Sequence, residues 1–203
     1  IRSCLVGSEM CIRDSNEKDN FEENLKIINN QIKQIGNLVD EFSDFARMPK
    51  PVLKKNDLIS IIKDNIKLLS EIDTSIRINL ISEKSKISLQ SDREQINRVI
   101  FNLIKNSIES IQQKAENTSN FDKIIDIEIY EKSSQIYIII VDNGLGFENF
   151  TSDLNEILKP YVTTKKNGTG LGLSIVNKII NDHNGKLNFF SIPNGAKVEI
   201  VFN

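Results

Sequence analysis

Four short stretches in the second half of the chain contain the residue types that a nucleotide-triphosphate pocket needs. In chain order they are Asn102–Asn106, Asp142–Gly146, Pro160–Lys165 and Gly168–Leu173. They supply side-chain amides, a carboxylate beside a glycine turn, a threonine–lysine segment and the glycine-rich start of a helix. Each stretch alone is weak evidence. Together, in this order, they predict a metal ligand, a base reader, a cover and backbone amides for phosphate.

The first stretch lies on a helix predicted from residue 93 to 114, capped by Asp92. Its polar face places Asn102 and Asn106 one turn apart, with Lys105 beside them to neutralise phosphate charge. An amide oxygen is a hard, neutral ligand that suits Mg²⁺, which takes its remaining oxygens from water and phosphate. An ordinary solvated face is the alternative that this helix alone leaves open.

The second stretch follows an apolar strand that ends at Val141. A carboxylate at that strand end accepts hydrogen bonds, so Asp142 facing an adenine amino group would select adenine over guanine. Gly144 and Gly146 permit positive φ and a close ligand approach. A common Asp-Asn-Gly turn is the alternative interpretation.

The glycine-rich stretch from Gly168 to Gly172 opens another helix, where backbone amides and the helix dipole favour phosphate. Its spacing matches neither a Walker loop nor a dinucleotide-binding fingerprint. The polar connection before it, residues 148–168, predicts a mobile cover anchored by Tyr161. Thr163, Thr164 and Lys165 would meet phosphates there, although surface residues of these types usually have no such role.

Other elements must position these groups. Helices are predicted from Leu58, capped by Asn56 or Asp57, and from Gly172 to Asp182, with a short helical piece at 154–158. Strands are predicted at 75–81, 87–89, 123–131, 135–141, 186–190 and 196–202. Helices and antiparallel strands without regular βαβ alternation predict an α+β fold, a two-layer sandwich.

An apolar seam runs through residues 25–46 in alternating steps of three and four. Its members are Leu25, Ile28, Ile32, Ile35, Val39, Phe42 and Ala46, and Ile27, Leu38 and Phe45 widen it. This heptad pattern predicts a coiled-coil-like helix in a dimer bundle, ended by Pro49 and Pro51. An ordinary core helix is the alternative.

Composition excludes several classes. The 203 residues carry a net charge of −2 and lack the basic stripe of a nucleic-acid-binding protein. The longest apolar run, residues 136–141, is too short to span a bilayer. Both cysteines lie within residues 1–15, a segment that resembles a translated sequencing adapter, so we interpret it as a non-native leader; a native disordered leader is the alternative. We therefore predict three parts, residues 1–15, 16–50 and 51–203.

Together the four stretches resemble the N, G1, F and G2 boxes of sensor histidine kinases, within the GHKL family that includes gyrase B, MutL and Hsp90. Residues 39–52 are similar to the second dimerisation helix and exit of NtrY-type nitrogen-regulation kinases. The resemblance implies a Bergerat ATP-binding fold in 51–203, Mg²⁺ on Asn106, adenine on Asp142 and an ATP lid. The implied ATP-binding set is Asn102, Lys105, Asn106, Asp142, Gly144, Gly146, Thr163, Thr164, Lys165, Gly168, Thr169, Gly170, Leu171 and Gly172.

The resemblance implies a kinase that passes the γ-phosphoryl group of ATP to a histidine and then to a response-regulator receiver domain. The family's phosphoacceptor motif is missing, and the single histidine, His183, matches a structural turn. This fragment is therefore expected to bind ATP without phosphorylating itself. The implied partners are a second copy, through the helix at 24–47, and the receiver domain. The parent would be anchored in the inner membrane, with this part on the cytoplasmic side.

Two other functions stay open at this stage. One is an ATPase of the gyrase or Hsp90 kind, but those relatives place a glutamate base one turn before the metal-binding asparagine, where this chain has Asn102. The other is a non-catalytic ATP-binding or dimerisation module. A second departure, Tyr161 where phenylalanine is commoner in the F box, keeps an aromatic side chain.

Overall fold

The computed structural model describes residues 47–118, 121–147, 154–163 and 168–203, with residues 21, 23–33, 35, 36, 39, 42 and 43. The chain divides into two compact units, Ile1–Met48 and Pro49–Asn203. The predicted leader, together with Leu38, Phe45 and Ala46 of the seam, lies outside the described residues.

In the first unit the described residues between 21 and 43 are helical. Six seam residues among them keep between 42% and 64% of their surface exposed: Leu25, Ile28, Ile32, Ile35, Val39 and Phe42. A helix with such a face does not gain the burial that usually stabilises helices in proteins. Its predicted role in a dimer stays a prediction.

In the second unit three helices form one layer. They are α1 (Leu58–Leu69), α2 (Arg93–Ala115) and α3 (Gly172–Asp182), and a 3₁₀ turn covers Leu154–Leu158. Asp57 caps α1 by accepting the Ile59 amide at 3.1 Å, and Asp92 caps α2 by accepting the amides of Glu94 and Gln95. These carboxylates satisfy donors that a helix start leaves unpaired, so both predicted caps are confirmed.

A five-stranded sheet forms the second layer. Its strands are β2 (Arg77–Ile81), β4 (Ile124–Lys132), β5 (Gln135–Asp142), β6 (Lys186–Ile192) and β7 (Gly195–Phe202). Their order is β2-β4-β5-β7-β6, with β2 parallel to β4 and the other pairs antiparallel. A separate antiparallel pair joins β1 (Lys54–Asp57) to β3 (Ser88–Ser91). The predicted α+β sandwich is confirmed, while strand β1 was not predicted.

Strand periodicity decides which side chains face the helices. Alternate residues of β4, β5 and β7 are buried on one side of the sheet: Ile125, Ile127, Ile129, Ile136, Ile138, Ile140, Val198, Ile200 and Phe202. The next residue of β5 in that inward set is Asp142, because successive side chains of a strand alternate between faces. Helix α2 contacts both α1 and α3 and covers this face with its own isoleucines.

None of the helices among the described residues combines the length and the apolar character that a bilayer span requires.

Candidate nucleotide-binding site

The centre of the candidate site is the carboxylate of Asp142. It ends the buried run of β5 and only 5% of its surface is exposed. Its Oδ2 accepts the Ser107 hydroxyl at 3.0 Å and its Oδ1 accepts the Gly144 amide at 3.0 Å. The backbone amide of Ala196 on β7 also favours the ionised form of this carboxylate. A buried acid with these donors is a fixed acceptor directed at the helix layer.

Two opposing effects act on the pKa of Asp142. Burial raises it above the ordinary value of 3.8, because the ionised form loses water. The hydrogen bonds from Gly144, Ser107 and Ala196, and the positive charge of Lys114, favour the ionised form, but the net direction stays upward. Raised pKa values in structured clefts are common at functional sites.

Helix α2 holds the whole turn that follows Asp142. One turn after Ser107, the hydroxyl oxygen of Ser110 accepts the Leu145 amide at 3.0 Å. One turn further, Lys114 Nζ donates to the carbonyls of Asn143 at 2.7 Å and Gly144 at 3.2 Å. These three side chains were absent from the sequence-based site. The available signal was a polar residue, Ser107, inside the apolar stripe of a long helix.

Glycines allow the backbones around Asp142 to pack closely. A Cβ added to Gly195 would lie 1.9 Å from the Asp142 carbonyl oxygen, and one added to Gly144 would lie 2.3 Å from Ser110 Oγ. No side chain fits at either position, because both distances are far below van der Waals contact. Gly144 of the predicted G1 box is therefore required for close packing against α2, apart from any role in ligand approach.

The other end of the α2 polar face lies against the start of α3. Asn102 donates its Nδ2 to the Arg98 carbonyl at 2.8 Å, and a Cβ on Gly172 would meet Asn102 Oδ1 at 3.5 Å. One helix therefore reaches the Asp142 turn with Ser107 and the glycine-rich stretch with Asn102. The carboxylate and the glycine-rich stretch, 25 or more residues apart in sequence, contact the same few turns of α2.

The later part of the predicted lid is joined to the glycine-rich stretch through backbone atoms. The Tyr161 amide donates to the Gly170 carbonyl at 3.0 Å, and Gly170 has a φ of +69° with Tyr161 so close that no side chain would fit. Tyr161 is 56% exposed, so its side chain is not the predicted aromatic anchor. Tyr161 contacts the glycine-rich stretch through its backbone instead.

The remaining residues of the predicted ATP-binding set differ in their burial and backbone conformation. Leu171 is buried at the start of α3, and the Leu171 amide donates to Thr169 Oγ1 at 3.3 Å. Gly146 has the expected positive φ, +70°, whereas Gly144 does not adopt one; Gly168 is half-buried. Thr163 is exposed, whereas Thr164 and Lys165 lie outside the described residues.

Asn106 lies half-exposed on the polar face of α2, next to Ser107. Lys105 is exposed, with Nζ 3.8 Å from Glu109 Oε1. Among the described residues no cluster of three or more Asp, Glu, His or Cys side chains could hold a metal ion. A single neutral amide oxygen, such as that of Asn106, fits an Mg²⁺ ion that takes its other oxygens from a triphosphate and water.

His183 has a structural environment. Only 7% of its surface is exposed; Nε2 accepts the Asp92 amide at 3.0 Å and Nδ1 lies 2.8 Å from the Ile179 carbonyl oxygen. These contacts define the neutral tautomer with its proton on Nδ1. The imidazole links the end of α3 to the start of α2, which confirms the structural role expected from its sequence context.

The described surface also has two cavities away from Asp142. One, of about 390 Å³, lies along β2 and β4; the other, of about 720 Å³, lies around the β4–β5 turn and Asn184. Neither is lined by a residue of the four stretches. The candidate site is therefore defined by its converging polar groups.

Comparison with known proteins agrees with this geometry. Residues 91–203 match the family described as histidine kinase-, DNA gyrase B-, and HSP90-like ATPase. The chain belongs to this family. Its α+β sandwich is thus the Bergerat ATP-binding fold that the four boxes implied, and the matched region contains all four boxes.

Two curated relatives are NtrY-like sensor kinases. The chain is 34% identical over 203 residues to an NtrY-like sensor histidine kinase of Rickettsia prowazekii, covering 98% of this chain and 33% of that protein. It is 33% identical over 180 residues to the nitrogen regulation protein NtrY of Azorhizobium caulinodans, covering 88% of this chain and 23% of that protein. The chain therefore spans a third or less of these relatives' length.

Two solved structures share the fold. The nucleotide-free catalytic domain of histidine kinase ThkA superposes with a TM-score of 0.62 at 25% identity, covering 74% of this chain and 94% of that one. ThkA in complex with the response regulator TrrA gives a TM-score of 0.68 at 22% identity, covering 87% of this chain and 49% of that one. The described chain is the histidine kinase type of ATPase catalytic domain.

Proposed function

We propose that this chain binds ATP·Mg²⁺ and donates its γ-phosphoryl group to a histidine of a sensor kinase, from which the group passes to a response-regulator receiver domain. The observation that carries the proposal is the double contact of α2, whose Ser107 bonds Asp142 and whose Asn102 adjoins Gly172. The proposed adenine acceptor and the proposed phosphate-binding helix start thus both contact one short segment of α2.

In this proposal the chain contributes binding and orientation. Asp142 accepts a hydrogen bond from the adenine amino group, and the amides before α3 receive phosphate oxygens. Asn106 holds the metal ion, which would neutralise phosphate charge during transfer. Asn102 has no carboxylate to deprotonate water, which favours transfer to an imidazole, itself a nucleophile, over hydrolysis.

The acceptor histidine comes from outside this chain. Both ring nitrogens of His183 have partners, and the ring is buried, so phosphorylation there would require opening the junction of α2 and α3. The proposal therefore expects ATP binding without self-phosphorylation. In the parent protein, anchored in the inner membrane, this part would lie on the cytoplasmic side.

The test supplies the acceptor separately. The chain is incubated with ATP labelled on the γ-phosphate, Mg²⁺ and a purified dimerisation domain containing the acceptor histidine of an NtrY-type kinase. We expect label on that domain and none on this chain. A chain that binds ATP in calorimetry but leaves the acceptor unlabelled would contradict the kinase proposal, and release of free phosphate instead would favour the ATPase.

A second copy of the chain is the proposed partner of the N-terminal helical segment. Exposed apolar side chains recur there at coiled-coil spacing, as Ile28, Ile32 and Ile35 illustrate. Sedimentation velocity should show a concentration-dependent dimer that Ile32→Lys dissociates. The control Gln31→Lys adds the same charge beside the seam and should leave the dimer intact; equal behaviour of both variants would count against this interface.

A further inference from the structure

Helix α2 presents three polar side chains, one per turn, to the loop that follows Asp142. Ser107 donates to the carboxylate, Ser110 accepts the Leu145 amide, and Lys114 donates to two carbonyls of the turn. We name Ser107, Ser110 and Lys114 the α2 polar strip. The spacing of three and four residues puts all of them on one side of the helix.

The strip leaves the turn little freedom. Lys114 Nζ also lies 3.4 Å from the Asn194 carbonyl oxygen in the β6–β7 turn and 5.1 Å from the centre of the Phe121 ring. An ammonium group has three hydrogens to donate, and three carbonyls surround this one. The ammonium therefore ties α2, the Asp142 turn and the neighbouring hairpin together at a single point.

Ser107 determines which direction of the carboxylate remains available. An ionised carboxylate has about four acceptor positions. Two are used, by the Ser107 hydroxyl on Oδ2 and by the Gly144 amide on Oδ1. The positions left on the two oxygens are those open to an incoming donor. Because Ser107 is itself 4% exposed and cannot turn to water, the carboxylate is held in one orientation.

We propose that Ser107 is the positioning residue that makes Asp142 selective for a 6-amino purine over a 6-oxo purine, with Ser110 and Lys114 fixing the turn on which this selectivity depends. The inference rests on the proposed binding of ATP. A hydroxyl that donates to Asp142 keeps the carboxylate an acceptor and directs its open position. Without that hydroxyl the acid can rotate or carry a proton, and a protonated carboxyl can donate to a 6-oxo group.

The experiment compares ATP with inosine triphosphate, which replaces the 6-amino group by an oxygen, in calorimetric titrations with Mg²⁺. For the unmodified chain we expect tight ATP and weak inosine triphosphate binding. Ser107→Ala should weaken ATP by about tenfold. It should change inosine triphosphate much less, so the ratio of the two dissociation constants falls. Ser107→Cys should lower the ratio too, since a thiol of similar size is a poor donor.

Ser107→Thr restores a hydroxyl and should return the ratio toward that of the unmodified chain. Ser110→Ala removes an acceptor for a backbone amide without touching the carboxylate, so it should weaken both nucleotides by similar factors. Melting curves for every variant separate lost folding from lost selectivity.

Three results would overturn the inference. One is an unchanged ratio in folded Ser107→Ala or Ser107→Cys, and another is a lowered ratio in Ser107→Thr equal to that of Ser107→Ala. The third is loss of a melting transition in both Ser107→Ala and Ser107→Cys, because the hydroxyl would then be a folding requirement. If the unmodified chain itself binds no ATP, the proposed function fails, and that result is distinguishable because it appears before any substitution is made.

Discussion

The two halves of the α2 polar face differ in what they contact. The half from Ser107 to Lys114 bonds other parts of the protein, and its partners are a carboxylate, an amide and three carbonyls. In the half from Asn102 to Asn106, Asn102 bonds its own helix and Lys105 pairs with Glu109 at the surface. On the proposed function, the base-binding end is therefore held by bonds within the protein before the ligand arrives, whereas the phosphate-binding end has Lys105 exposed at the surface.

This difference has an energetic consequence. A preorganised acceptor loses little conformational freedom on binding, so its hydrogen bond contributes more of its strength to affinity. Exposed lysines and amides must give up water and side-chain freedom, so each contributes less. Substitutions at the base end should therefore have larger effects than those at the phosphate end.

The largest effect is expected from Asp142→Asn. The substitution keeps the shape but replaces part of the acceptor by a donor facing the adenine amino group, so ATP affinity should fall about 100-fold. The asparagine nitrogen also replaces an oxygen that accepts from Ser107 or Gly144, so the melting temperature should fall modestly as well. Calorimetry and melting curves together check both statements.

The matched control is Asp126→Asn on the neighbouring strand, where the carboxylate accepts from Asn79 on the outer face of the sheet. It should leave ATP affinity unchanged. Equal losses of ATP affinity in the two variants would mean that Asp142 acts only through its contribution to the net charge. No loss in either variant would mean that Asp142 does not contact the nucleotide.

The next largest effect is expected from Asn106→Ala. ATP affinity measured with Mg²⁺ should fall about tenfold, to the value obtained with a chelator present, because the metal loses its only proposed protein ligand. Adenosine, which has no phosphate to carry a metal, should bind equally to both forms. The control Gln113→Ala, on an exposed turn of the same helix, should change neither. If Mg²⁺ still increased the ATP affinity of Asn106→Ala, the metal ion would be held by another residue.

The roles of Asp142 and Asn106 stay predictions, and both rest on local sequence patterns. Asp142 and Asn106 were predicted because each belongs to a local pattern, a strand followed by glycines and a helix with a polar face. The helix caps at Asp57 and Asp92 were predicted for the same reason, since a cap depends on two or three neighbouring residues. Such local patterns also predicted α3 with its observed bounds, Gly172–Asp182.

Other features depend on distant partners, so local patterns indicated them weakly or not at all. The Ser107–Asp142 bond joins residues 35 apart, and its one local signal was a serine within an apolar stripe. Strand β1 has the polar sequence Lys54–Asp57 and forms by backbone pairing with β3, without an alternating pattern. The parallel pairing of β2 with β4 likewise follows from chain topology. Tyr161 was misread because its type indicated burial, whereas its backbone makes the contact.

ATP affinity should also depend on pH, with an effect of intermediate size that comes from the base-binding end of the site. Burial raises the pKa of Asp142 above 3.8, so in the folded chain this group holds its proton more tightly than in the unfolded chain. Its contribution to folding stability is therefore present in full below the unfolded value and is lost as the pH rises through the raised pKa. ATP needs the ionised acceptor, so affinity should fall as the pH drops into the same window.

Stability without ligand and affinity for ATP should thus change in opposite directions on acidification. Melting curves with and without ATP between about pH 4 and about pH 8 would show the nucleotide-induced shift shrinking at low pH. The phosphates of ATP titrate in the same way whether ATP binds the unmodified chain or Asp142→Asn, but only the unmodified chain has the Asp142 carboxyl. The difference between their pH profiles therefore isolates the titration of Asp142. Identical pH profiles would show that Asp142 is not the group responsible.

The smallest effect is expected from Lys105→Gln at the phosphate end. Lys105 is exposed and shares its charge with Glu109 at 3.8 Å, so solvent and salt screen its attraction for a triphosphate. ATP affinity should fall about twofold at low salt, and the difference should vanish as salt is added. Lys63→Gln, an exposed lysine on α1, provides the control for net charge. A loss from Lys105→Gln as large as that from Asp142→Asn would reverse the comparison, because phosphate recognition would then also be built into the empty protein.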